Sequence, residues 1–160
     1  MFAIAAYRGR SWISRAIGWF TRSVYSHVAI DFRDDGDSVY EAIGSGFVRA
    51  VDLAWNHDED TVVDLFDYRR PLTTVELDAA YATARSLVGQ PYDYASVFLH
   101  FPLRLDRDGD TKRLFCSEAA LAISWAMGED RLLQRMLPWK ATPDHIAISP
   151  LLKWKGTITL

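Results

Sequence analysis

"SHVAIDFRDDGDSVYEAIGSGFVRAVDL", residues 26–53, contains three short strand-like runs in immediate succession. In "SHVAIDF" alternation puts His27, Ala29 and Asp31 on one face and Val28, Ile30 and Phe32 on the other. "RDDGD" is a turn whose Asp35-Gly36 is a hairpin signal, and "SVYEAIG" and "GFVRAVDL" follow as further strands. Outward from this block, "FAIAAY" (2–7) precedes it as a buried strand, "TVVDLF" (61–66) follows it, and "GTITL" (156–160) is a candidate closing strand.

Helical patterns lie mostly on the other side of the chain. "TTVELDAAYATARSLVG" (73–89) is opened by Thr73 or Thr74 and closed by Gly89, and "PYDYASVFLHF" (91–101) follows Pro91. Next come the alanine-rich "SEAALAISWAMG" (117–128), a short piece at "EDRLLQRML" (129–137) and the Pro-bounded "TPDHIAISP" (142–150). Residues 104–113 read as a polar surface loop. Strands and helices segregated in this way predict an α+β fold and not a doubly wound one.

The early helix "SWISRAIGWFTRS" (11–23) spaces Trp12, Ile13, Ala16, Ile17 and Phe20 at helical intervals behind Ser11 as N-cap. With Arg15 and Arg22 it could lie on a membrane surface, but a core-facing helix with a basic edge is the commoner arrangement.

Composition narrows the chemistry. One domain over residues 1–160 suits the length, and 49% hydrophobic residues with a net charge of −3 describe neither a disordered chain nor a basic nucleic-acid binder. The N-terminus is apolar before it is basic, the reverse of a secretory signal, and no apolar run is long enough to span a bilayer. A soluble protein, cytoplasmic or phage-encoded, is expected. One cysteine excludes an internal disulfide and thiolate metal clusters, and no cofactor is expected.

That cysteine, Cys116, stands in "RLFCSEAALAIS" where the alanine-rich helix begins, so unpaired N–H groups and the positive end of the helix dipole favour its ionisation. The alternative is a small, inert core residue. A cysteine nucleophile needs an imidazole to take its proton. Of the four histidines, His57 lies in the acidic "WNHDED", His100 in an apolar helix-like run and His145 just after Pro143, and these read as structural or solvent-facing. His27, on a strand face with small and polar neighbours, is placed to look into a site, or is a satisfied strand histidine.

The ordered set "YSHVAI", "VYEAIGSG", "GQPYDY", "FCSEAALAI" and "TPDHIAISPLL" resembles the permuted papain-like amidases and peptidases, the YiiX-type branch of the NlpC cell-wall hydrolase superfamily. The likeness covers roughly residues 20 to 152, with the "SH" strand ahead of "GQPY" and "FCS" as in the permuted branch. It implies a circularly permuted papain-like fold: a small antiparallel sheet against a central helix that starts at the catalytic cysteine. It also implies that Cys116 is the nucleophile, His27 the base and Glu41 the group orienting the imidazole, a triad in cysteine form. Tyr92 would line the substrate cleft and Tyr25 the rim or the oxyanion site, with the backbone N–H of Cys116 a further oxyanion donor.

Strand geometry sits awkwardly with Glu41. A two-residue turn at Asp35-Gly36 sets it opposite Ile30, and a three-residue loop sets it opposite Asp31, roughly 13 Å along from His27. Contact then requires a bulge or a longer, asymmetric connection, with Asp31 the alternative partner.

The expected function is cleavage of an amide through a cysteine acyl-enzyme, on a small peptide or acyl-amide substrate such as a peptidoglycan fragment. Two alternatives stand beside it. One is lipid acyl transfer or thioester chemistry, since the group also resembles the lecithin:retinol acyltransferase relatives, and the Trp-rich early helix would favour it. The other is a non-catalytic binding or structural module, virion- or envelope-associated, that keeps the fold.

Overall fold

A computed structural model describes residues 2–10, 12–32, 38–95, 113–128, 132–133 and 136–160. Six strands form one antiparallel sheet: β1 (Phe2–Arg8), β2 (His27–Phe32), β3 (Ser38–Ile43), β4 (Gly46–Ala50), β5 (Val62–Tyr68) and β6 (Leu152–Thr159), in the order β4-β3-β2-β1-β5-β6. The helices are α1 (Trp12–Thr21), α2 (Thr74–Leu87), α3 (Cys116–Ala126) and the short α4 (Pro143–Ala147). The fold is α+β, as the segregated pattern predicts.

β1 reads as a near-continuous apolar run because both sheet faces are covered there, whereas the edge strand β6 is mostly exposed. On one face Ile4, Val28, Ile30, Phe32, Tyr40 and Phe47 pack against α2 and α3. On the other, Ala5, Tyr7, Ala29, Val39 and Val63 are covered by Leu53 and Leu160. The closing strand is longer than "GTITL", starting at Leu152, and "GFVRAVDL" stops being a strand at Ala50.

α3 is buried almost all round, with Cys116, Ser117, Ala119, Ala120, Leu121 and Ile123 in contact with the core. Alanines at this density give strong helix propensity and let α2 approach closely through Ala80 and Ala84. Gly128, at φ 96°, ends the helix. α2 starts at a capping box in which Thr73 and Glu76 satisfy each other's backbone N–H groups.

α1 differs from its expected packing at Trp12, which helical spacing puts on the core-facing stripe but which is 77% exposed; Trp19, outside that stripe, is 76% exposed. The expected N-cap Ser11, the Asp35-Gly36 turn, the helix at 91–101 beyond its first residues, His100, most of the 104–113 loop and much of the piece at 129–137 lie outside the described residues.

Candidate active site

The hairpin register decides whether Glu41 can serve His27. β3 pairs with β2 so that Glu41 lies opposite Ala29, one pair earlier than the two-residue turn requires and two earlier than the three-residue loop gives. The five residues 33–37 connect the strands, and Glu41 and His27 become diagonal neighbours on one face, within reach of a long side chain. No bulge is needed between them. His27 Nε2 lies 2.7 Å from Glu41 Oε2. Asp31, the alternative partner, sits four residues along, beside a separate cavity lined by Val39, Asp52 and Leu65.

Cys116 reaches His27 from the opposite side of the sheet. By alternation His27 belongs to the face of Ala29 and Glu41, whereas Cys116 packs with the helix-side core. The two meet because His27 is the first residue of β2, at the end of the sheet where α3 begins. The sulfur hydrogen-bonds the imidazole and accepts from the backbone N–H groups of Val28 and Ser117. With Nε2 committed to Glu41, Nδ1 is the nitrogen left for the sulfur.

These contacts set the charge states. Burial alone would push the Cys116 thiol up, but the charge and hydrogen bond of His27, with the two amides, bring it below a free thiol's value. Burial alone would likewise lower His27, yet the charge and hydrogen bond of Cys116 and those of Glu41 raise it to about 10. Both shifts point the same way, to a thiolate–imidazolium pair. Glu41 is buried, which would raise its carboxyl, but hydrogen bonds and charge from His27 and His57 hold it at about 2.

His57 is the residue that sequence reasoning missed. Assigned to an exposed acidic loop, it is mostly buried, and its Nε2 lies 3.0 Å from the same Glu41 Oε2. Since an ionised carboxylate only accepts, both imidazoles donate an Nε2–H to it. The ring stacks on Tyr7 at 4.2 Å, and the Tyr7 ring also meets the edge of His27 at 5.2 Å. The second carboxylate oxygen of Glu41, Oε1, is buried and has no hydrogen-bond partner among the described residues.

Tyr92 is brought to the site. Asp93 N–H donates to Leu114 O and Leu114 N–H to Pro91 O, so the "GQPYDY" segment is tied to the residues leading into α3. Gly46 makes that approach possible: at φ 124°, a Cβ there would stand 2.6 Å from the Gln90 carbonyl oxygen. Burial and the nearby Cys116 charge both raise the Tyr92 hydroxyl's pKa. Tyr92, His27, His57, Tyr7, Tyr94 and Ile17 of α1 are among the lining of a cavity of about 260 Å³. Cys116, 6% exposed, is the first residue of α3 and contacts this wall through His27.

Tyr25 is not in that cavity's lining, and it packs against the core cluster that contains Cys116. Its hydroxyl donates to Asp64 Oδ2 at 2.8 Å and its ring lies under the Arg8 guanidinium, which pairs with the same carboxylate. His145 serves the α4 capping box, accepting from the Thr142 N–H.

No family model and no curated protein matches the chain. Among solved structures it is similar to the crystal structure of metalloprotein yiiX from Escherichia coli O157:H7, DUF1105. The two are 19% identical, the match covers 99% of this chain and 97% of that one, and the TM-score is 0.76. At that identity the likeness is one of fold.

Proposed function

We propose that the chain is a cysteine hydrolase of permuted papain-like fold that cleaves an amide bond in a small peptide or acyl-amide. One observation carries the reading: a thiol at the start of a buried helix hydrogen-bonds an imidazole whose other nitrogen donates to a buried carboxylate. The Cys116 thiolate would attack the carbonyl carbon while the C=O electrons move onto oxygen. The Cys116 backbone N–H, in a first helical turn with no side-chain cap, would stabilise that oxyanion. Collapse expels the amine, which takes the imidazolium proton of His27. Water, deprotonated by the now neutral His27, then cleaves the thioester and restores the pair. Glu41 fixes the ring and supports its positive charge.

Aromatic rings of Tyr7, Tyr92 and Tyr94 with the hydroxyls of Ser14 and Ser26 make the cavity wall, which suits a short peptide fragment over an extended chain. The test is intact-mass spectrometry of protein mixed with a panel of short peptide amides and activated esters. A covalent acyl adduct mapping to Cys116 is expected, and hydrolysis that proceeds unchanged in Cys116→Ser would reject the mechanism.

A second reading has its own observation. α1 contributes Ser14 and Ile17 to the cavity wall while presenting exposed Trp12 and Trp19 beside exposed Arg15, the composition of a helix that lies at a lipid surface. Acyl chemistry on a lipid would then use the same thiol. Co-sedimentation with anionic vesicles that is lost in the Trp12→Ala, Trp19→Ala double variant supports this version; a chain that stays in the supernatant rejects it. The solved neighbour is described as a metalloprotein, and among the described residues of this chain the donors that fit a cation are His27, Glu41 and His57.

A further inference from the structure

We propose that His27, Glu41 and His57 form a site for a first-row divalent cation of the zinc class, and that its occupation excludes the thiol chemistry. The cation site rests on geometry alone; the exclusion rests on the role proposed for His27. The single thiol excludes a thiolate cluster but not a site of two imidazoles and one carboxylate, a donor set well suited to such ions.

Glu41 Oε2 stands 2.7 Å from His27 Nε2 and 3.0 Å from His57 Nε2, and the donor atoms of all three residues lie within 4.8 Å of one another. Bonds of about 2.0–2.2 Å in a tetrahedron separate ligand atoms by about 3.3 Å, so the two short contacts would open by about 0.3–0.6 Å and the third separation, at most 4.8 Å, would close by up to about 1.5 Å. A second feature points to a ligand: Glu41 is only 1% exposed, and its Oε1 is buried with no donor among the described residues. A buried carboxylate oxygen without a partner is costly, and a cation bound through both Glu41 oxygens would satisfy it. Both imidazoles line the cavity, which leaves a coordination position open toward it.

Exclusion follows from the two nitrogens of one ring. Coordination uses the Nε2 lone pair of His27, so the neutral ring carries its proton on Nδ1, the nitrogen facing Cys116. Such a ring cannot accept the thiol's proton, and it has no second proton to hand to a leaving amine. Glu41, drawn to the cation, no longer orients His27. His57 is the element that thiol chemistry does not require and that completes the cation site.

Cobalt(II), as a spectroscopic stand-in for zinc, tests the site, with zinc as competitor. Wild-type protein and Cys116→Ser should both show d–d absorption without a thiolate charge-transfer band, and His57→Ala should bind at least about 100-fold more weakly. His57→Gln, which keeps an N–H for Glu41 while removing the imidazole, gives the same readout should the alanine variant unfold. Unchanged cobalt affinity in a folded His57 variant, or a charge-transfer band lost in Cys116→Ser, overturns the site. Saturating zinc should slow iodoacetamide labelling of Cys116 by at least about 10-fold, reversibly on chelation, because the free thiolate is the reacting form. Labelling that is indifferent to bound zinc overturns the exclusion. A chain that hydrolyses no amide still reports cobalt binding, so the two readings fail separately.

Discussion

Cys116→Ser and His27→Ala should each lower amide turnover by about 10³–10⁴-fold, because each removes one half of the attacking pair and the two act as a unit. A serine in place of Cys116 would meet an imidazole already committed to Glu41, but its hydroxyl ionises far less readily than the thiol. Without the His27 ring, Cys116 keeps only the amides of Val28 and Ser117 and remains buried. The two variants are separated by the thiol itself. In chelator-treated wild-type protein, labelling of Cys116 by iodoacetamide should persist at pH values where a free thiol has become unreactive, since the imidazolium favours the thiolate. In His27→Ala the labelling should be slower at neutral pH and rise only as pH increases. Equal labelling rates in the two proteins across the pH range would remove the ion pair from the mechanism, whatever the turnover shows.

Legibility of this site in the sequence varies with how each residue is placed. Cys116 could be read because a helix start has a local signature, and α3 begins at that residue. His27 could be read because strand alternation separates it from its apolar neighbours. Glu41 depended on a hairpin register, which a turn signal alone does not fix: a shift of the loop by one residue moves every side chain to the other face. The observed register puts Ala29 opposite Glu41, whereas a two- or three-residue connection at Asp35-Gly36 predicts Ile30 or Asp31. His57 had no periodic signal at all. It lies between β4 and β5 in a stretch of turns, held by its own N–H to Ala54 O and by its ring on Tyr7, a contact set by tertiary packing. Charge around it, in "WNHDED", favoured solvent, and a buried carboxylate 16 positions away overrode that preference.

The fold class was readable for a simpler reason. The strands of residues 26–68 follow one another without an intervening helix, so antiparallel neighbours were nearly unavoidable, and both covered faces account for the scarcity of polar residues in β1. Trp12 of α1 departs from its expected place because helical spacing identifies a face but not what covers it. Trp12 and Trp19 lie on an exposed one.

Glu41→Gln should separate the role of charge from the role of shape. The amide is nearly isosteric with the carboxylate, but it can accept from one imidazole only by turning its NH₂ group toward other neighbours, and it carries no charge to support the His27 imidazolium. Turnover in chelator-treated protein should fall by about 10²–10⁴-fold, with the onset of Cys116 labelling moved to higher pH. A purely structural role would lower both protein stability and turnover without moving that onset. Stability gives an independent reading with a fixed sign. Glu41 titrates at about 2 in the folded chain against an ordinary value of 4.5, so the unfolded chain binds its proton first. The carboxylate's contribution is therefore fully present above about pH 4.5 and is lost as the pH falls toward 2. Thermal unfolding followed across that window should show a steep acid decline in the wild type and a shallower one in Glu41→Gln. Parallel declines would mean that Glu41 is not held ionised by the two histidines, and the orientation of His27 would then need another source.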